Sequence, residues 1–315
     1  MRKKIVLVIF SAFLCVQPAY SYWIWTPKTN KWVNPKTEAK ADPKEQLDFA
    51  KSLLEARELE DAKREFQKIL KTYPKAVEAA EAQYWLGVIE QERGNLYEAF
   101  LEYQKVVEKY PFSERIAEII ERAYNIGEAY MTGKAKRKAF GVKLPVENPA
   151  IEIFTRVVQF SQYGPYAAKA QYKLGLVYKS LAQYFEAEEA FNKVVTNYPD
   201  SEWAAAAKFQ IADSRAKVSK SAAYDQGATK EAKEKFEEFV LTNPDAELSS
   251  EAEKQIRGLK ERQAESNYTI ALFYEKQKNY SSAEIYYNDV IDNNPDSPWA
   301  ARAIERLKIM ERRRR

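Results

Sequence analysis

What most constrains the fold of this chain is a recurring spacing. A small residue is followed by Ala twelve positions later, an aromatic four after that, and Pro eight further on. Ala50, Ala62, Phe66 and Pro74 obey it; so do Gly87, Ala99, Tyr103 and Pro111. Gly175, Ala187, Phe191 and Pro199 repeat it, as do Ala271, Ala283, Tyr287 and Pro295. Two further copies carry insertions: Gly127 to Ala150, Phe154 and Pro165, and Ala212 to Ala232, Phe236 and Pro244. Two stretches recur almost verbatim, "PDSEWAA" from Pro199 and "PDSPWAA" from Pro295, each after an aromatic-rich run.

A period of this length, with Pro closing each unit, resembles the tetratricopeptide repeat, a helix-turn-helix unit of about 34 residues. The small residues let the first helix of a pair (A) approach the second (B). Phe66, Tyr103, Phe154, Phe191, Phe236 and Tyr287 fill the space between pairs. Proline ends helix B because it cannot continue a helix. Ser201 and Ser297 stand where N-caps belong, and Pro298 at a first helical position. One pair cannot bury its own apolar face, so pairs must stack. The expected fold is all-α: a superhelical solenoid of about six pairs plus a capping helix. The sixth A helix is expected to be long (249 to 277), with loops at 132 to 149 and 219 to 229.

Composition narrows the chemistry. The chain has no His and one Cys, so the usual zinc, haem, thiol and serine-triad sites cannot be assembled. The reading is therefore a binding protein without catalytic residues, metal or cofactor. Charge is nearly balanced at +4. That argues against a nucleic-acid partner. Two basic runs stand out, "KAKRK" at 134 to 138 and Arg312 to Arg315. They read as a solvated loop and tail.

The first 21 residues read as an export signal: Arg2, Lys3 and Lys4, then an apolar run from Ile5 to Val16, then small residues ending at Ser21. The run is too short to span a bilayer, which takes about 20 residues. Cys15 follows Phe13-Leu14 rather than a small residue, which departs from a lipid-anchor signal. Residues 22–42 form a Trp-rich arm or hairpin, with "YWIWTP" and "KWVNP" flanking a polar turn. Trp23, Trp25 and Trp32 are expected either to cap the first repeat or to serve as a docking arm. Residues 43–296 hold the six repeats, and 297–315 a capping helix with a basic tail.

The residue three before each small one is Leu47, Tyr84, Tyr124, Tyr172, Phe209 and Tyr268, with Val88, Leu176 and Leu272 one turn on. In solenoids of this class helix A lines the concave surface, so these nine are the candidate partner-binding residues. A peptide ligand and plain inter-helix packing both account for the pattern.

The later repeats are similar to a narrower family. The features are an inserted loop with Asp225, Gln226, Thr229, Glu231 and Ala232, a long helix carrying "LKERQAE" and "FYEKQKNY", and the closing "NNPDSPWA". This order resembles the outer-membrane assembly factor BamD (YfiO/ComL) family, most clearly over 165 to 310. The resemblance implies a periplasmic scaffold, peripheral to the inner face of the outer membrane, that assists assembly of β-barrel proteins. It implies protein partners: unfolded outer-membrane protein segments near Tyr84 and Tyr124, and soluble domains of a β-barrel insertase near Tyr268 to Tyr287. No small-molecule substrate is implied. A sixth repeat and the loop at 132 to 149 depart from the family pattern. A Tol-Pal-type envelope adaptor, or an activator of a cell-wall enzyme, is the alternative.

Overall fold

The computed structural model describes residues 24–26, 31–33, 38–135, 148–221 and 226–314. The expected export signal at 1–21, Trp23, residues 136–147 of the loop expected at 132 to 149, and Arg315 lie outside the described residues. The elements are β1 (Ile24–Thr26), β2 (Lys31–Val33), α1 (Pro43–Glu55), α2 (Leu59–Thr72), α3 (Val77–Glu92), α4 (Leu96–Lys109), α5 (Ile116–Met131), α6 (Pro149–Phe160), α7 (Ala167–Ser180), α8 (Tyr184–Asn197), α9 (Trp203–Ser221), α10 (Gln226–Thr242), α11 (Ser249–Lys276), α12 (Tyr280–Asn293) and α13 (Pro298–Arg314). Among the described residues no helix is long and apolar enough to cross a membrane.

The chain divides into two compact units, one up to Ile89 and one from Glu90 onward. In the first, β1 and β2 pair antiparallel, with Trp25 opposite Trp32. Asp42 caps α1, accepting a hydrogen bond from the Lys44 N–H, and Pro43 opens the helix. The strap before α1 is pinned. The Lys40 N–H donates to Gln46 Oε1 at 2.7 Å, and the Tyr73 hydroxyl donates to the Lys40 carbonyl at 2.5 Å. α1 packs on α2, burying Leu47, Ala50, Ala62 and Phe66.

In the second unit each helix packs on the next, from α5 through α13, and A helices also touch along the stack (α7 with α9, α11 with α13). This is a tetratricopeptide-repeat solenoid, and its spacing has a direct cause. A Cβ on Gly175 would come within 2.5 Å of the buried Phe191 ring, and one on Gly127 within 2.8 Å of Phe154. Helix A thus sits as close to helix B as the absence of a side chain allows. The A-to-B turns place Arg57, Gly94, Gly133, Ala182 and Lys278 in the left-handed region. Gly94 adopts that conformation without strain, whereas Ala182 and Lys278 do not.

Ser297 caps α13 as expected, its Oγ accepting from the Ala300 N–H at 3.1 Å. Ser201 does not cap α9; its hydroxyl turns back to donate to the Tyr198 carbonyl at 2.8 Å, satisfying an acceptor freed at the end of α8. Of the loop expected at 219 to 229, residues 219–221 belong to α9 and 226–229 to α10; 222–225 lie outside the described residues. The insertion lengthens α9 to 19 and α10 to 17 residues, because "SRAKVSKS" contains no breaker. α11 is a single helix of 28 residues, continuous through Gly258.

α13 departs from the repeat pattern. Its "PDSPWAA" start matches that of α9, yet Glu305 and Lys308 occupy the places of Phe209 and Ala212. Both are exposed. Polar residues at these two places remove the apolar contacts with which a further repeat would pack.

Candidate functional site

The aromatic ladder is packed, not presented. Tyr84, Tyr124, Tyr172 and Phe209 are buried, as are Leu47 and Val88; Leu176, Tyr268 and Leu272 are half-buried. Of the two readings of this row, packing accounts for Leu47, Tyr84, Val88, Tyr124, Tyr172 and Phe209, which have almost no exposed surface in this conformation. Each ladder ring in the second unit meets the aromatic of its own B helix. Tyr124 lies 5.7 Å from Phe154, Tyr172 5.4 Å from Phe191, Phe209 5.5 Å from Phe236, and Tyr268 5.6 Å from Tyr287. Three of the four also meet a ring at the start of the next A helix. These are Tyr124 with Tyr166 at 5.1 Å, Tyr172 with Trp203 at 5.1 Å, and Tyr268 with Trp299 at 5.4 Å. The Trp of the two near-identical motifs is therefore the closing ring of a three-ring contact between adjacent repeats. Tilted and edge-on pairs of this kind contribute about 0.5–1.5 kcal/mol each beyond area burial.

The accessible A-helix surface is polar and built from neighbours of the ladder. Lys173 Nζ lies 3.0 Å from Glu128 Oε1, joining α7 to α5. Lys179 Nζ lies 2.5 Å from both Asp213 Oδ2 and Gln210 Oε1, joining α7 to α9. Lys169 stands over the Tyr124 ring at 4.8 Å and the Trp203 ring at 5.9 Å. Arg215 donates to Glu188 at 2.8 Å. Sequence reasoning missed this set. The signal was available in the spacing of Lys169 and Lys173, three before and one after Tyr172, because residues three and four apart share a helix face.

The electrostatics of this set are coupled. Burial pushes the Tyr124 hydroxyl far above its ordinary value, and its hydrogen bond to the Glu128 carboxylate, at 2.7 Å, pushes it further. Burial raises the Glu128 carboxyl, but the Tyr124 hydrogen bond, the Lys173 contact and the charge of Lys169 outweigh it. The net direction is downward. The Glu128 carboxylate is thus favoured in its charged form and the Tyr124 hydroxyl in its neutral form.

Beside it lies a cleft of about 440 Å³ lined by Gln91, Leu96, Glu118, Glu121, Arg122, Asn125 and Ile126. Arg122 donates to Glu118 at 2.8 and 3.0 Å and to Gln91 at 3.3 Å. The lining is mostly polar, unlike the apolar pocket that encloses a small molecule.

With this geometry in place, the comparisons with known proteins fall into order. The YfiO family, described as "Outer membrane lipoprotein", matches residues 147–315. That is more than half of the chain. The chain belongs to this family. A tetratricopeptide-repeat family matches residues 47–114. No curated protein matches.

Among solved structures, the C-terminal part of a tetratricopeptide-repeat-containing protein from Cytophaga hutchinsonii is 17% identical. The match covers 84% of this chain and 87% of that one, with a TM-score of 0.34. A thermophilic tetratricopeptide-repeat protein of Thermus thermophilus is 16% identical over 68% and 99% of the two chains, TM-score 0.33. One from Parabacteroides merdae is 14% identical over 84% and 97%, TM-score 0.33. The fold assignment rests on the helix pairs and the repeat family rather than on these scores.

Proposed function

We propose that this protein is a periplasmic scaffold, peripheral to the inner face of the outer membrane, that assists assembly of outer-membrane β-barrel proteins by binding protein partners. The observation that carries the reading is membership of the outer membrane lipoprotein family over residues 147–315. The repeat architecture supports it, since stacked helix pairs offer extended surfaces to other polypeptides. So does the chemistry of the A helices. Lys169, Lys173, Lys179, Asp213 and Gln210 form a row of paired, partly exposed polar groups, which suits exchange of hydrogen bonds with a bound chain. The half-buried Leu176, Tyr268 and Leu272 add apolar contact beside it.

The test is isolation of the tagged protein from native envelopes after mild cross-linking, read by mass spectrometry. Co-isolation of a large outer-membrane barrel carrying periplasmic domains is the expected result, with cross-links that diminish when Lys173 and Asp213 are replaced. Recovery of Tol-type or cell-wall components without such a barrel overturns the reading.

A further inference from the structure

Two indoles facing water need a reason. In the β1–β2 ribbon Trp25 stands directly across from Trp32, with rings edge-on at 5.6 Å and 61°. Trp25 is 42% exposed and Trp32 63%. The other described tryptophans, Trp85, Trp203 and Trp299, are half-buried against helices. Side chains alternate along a strand, so a directly opposed pair shares one face of the ribbon. A ribbon of two three-residue strands gains little stability from its own hydrogen bonds. Leaving its two largest apolar side chains in water is therefore unexplained by the fold of the first unit.

Charge identifies the occupant. From Ile24 to Lys40 the sequence carries Lys28, Lys31, Lys36 and Lys40 against Glu38 alone. Lys40 is committed to Glu45 at 2.8 Å. The ribbon and its flanks are thus aromatic and basic together in sequence. Trp favours the membrane–water interface, where its ring is half in hydrocarbon and its N–H half in water. Each Lys near an anionic leaflet raises partition roughly fivefold. The strap from 38 to 42 is fixed to α1 and α2 through Lys40 and Tyr73, so whatever holds the ribbon also holds the first helix pair.

We propose that the β1–β2 hairpin is a bilayer-interface anchor: Trp25 and Trp32 seat at the headgroup level of an anionic phospholipid surface, and the lysines of this stretch draw it there. This rests on the envelope location proposed above only for which bilayer is met; the binding itself is independent of the barrel-assembly role.

The experiment is flotation of the protein as recovered from the envelope, after the processing expected at Ser21, with vesicles of phosphatidylethanolamine and phosphatidylglycerol, alongside neutral phosphatidylcholine vesicles. The expected result is flotation with the anionic vesicles that weakens in high salt. Trp25→Ala with Trp32→Ala lowers partition about tenfold or more, without changing thermal unfolding. Lys31→Glu, which leaves both indoles in place, lowers it at least roughly fivefold on anionic vesicles only. Three results overturn the proposal: no flotation of the wild type, equal flotation of the double Trp variant, or a lowered unfolding temperature with unchanged flotation. The last would make the ribbon a cap on the first repeat. Failure of the barrel pull-down alongside intact flotation would overturn the assembly role and leave the anchor standing.

Discussion

The Glu275 carboxylate gives the sharpest energetic prediction. It is buried, with its side chain 3% exposed, and it takes three hydrogen bonds from two other helices. The Tyr287 hydroxyl donates from α12 at 2.9 Å, and Arg306 donates from α13 through Nε at 3.0 Å and Nη2 at 2.5 Å. Removing one partner of a buried pair costs about 3–5 kcal/mol, because the other charge is left unpaired. Arg306 is a third exposed, so water reaches that end and the cost falls to about 2–3 kcal/mol for Arg306→Met. Glu275→Gln keeps an acceptor for Tyr287 and leaves Arg306 facing solvent; about 1–2 kcal/mol follows. The double variant should cost less than the sum, by about 1–2 kcal/mol, since no charge is then stranded. A stack of repeats opens locally from its ends, so the readout is hydrogen exchange of the α13 amides. Arg306→Met should reduce their protection about 30- to 150-fold, since about 1.4 kcal/mol is a factor of ten. If Arg306→Met costs as much in the Glu275→Gln background as in the wild type, the carboxylate is not what Arg306 holds, and the reasoning fails.

Other outcomes are expected from single contacts. Gly175→Ala puts a methyl 2.5 Å from Phe191; overpacking of about 1–3 kcal/mol, less about 1 kcal/mol of helix propensity, leaves a net loss of up to about 2 kcal/mol. Phe191→Leu added to it should return part of that loss in urea unfolding. Ala182→Gly should stabilise by roughly 0.5–1 kcal/mol in the same assay, because relief of a left-handed Ala (φ 58°) exceeds the added freedom of Gly in the unfolded chain. The Glu128 carboxyl is held below its ordinary value of 4.5 in the fold, so its stabilisation is present above that pH and is lost as pH falls through the lowered value. Glu128→Gln should accordingly flatten the acid limb of a stability–pH profile. The Tyr124 and Tyr287 hydroxyls are raised above 10.0, so their contribution is intact below that pH and declines as pH rises beyond it. Tyr124→Phe should reduce the alkaline loss measured by unfolding at high pH.

The fold was legible because the repeat writes a backbone constraint into residue size. Gly127 and Gly175 sit against rings that exclude any Cβ, and that close approach appears in the sequence as a small residue at fixed distance from an aromatic. The hairpin was legible for a similar local reason: two aromatic runs around a polar turn place Trp25 across from Trp32. Whether the ladder faces a partner was not. An aromatic at the ladder position reads alike whether it faces a guest or a neighbouring repeat. Only the ring at the start of the next A helix, Trp203 or Trp299, decides between them, and that contact spans a whole repeat. The length of α10 was also hidden. "DQGATKEA" carries a Gly that signals a turn, yet Gly227 lies inside the helix.

This division of labour bears on where partner choice is encoded. The ladder rings fix how one repeat sits on the next, and replacing Tyr172 by Ala would open a cavity between Phe191 and Trp203 at a cost of about 3–5 kcal/mol. Such positions are held by stability and carry little freedom to adapt to a ligand. Lys169, Lys173, Lys179, Gln210 and Asp213 are differently placed: they are partly exposed, lie along the A helices among ion pairs that bridge them, and contribute only about 0–1 kcal/mol each. They can change without unfolding the stack. Selectivity among partners would then reside in this polar row, and substitutions there should alter binding while leaving the unfolding profile where it was. A ladder substitution should do the reverse, lowering stability first and binding only as a consequence.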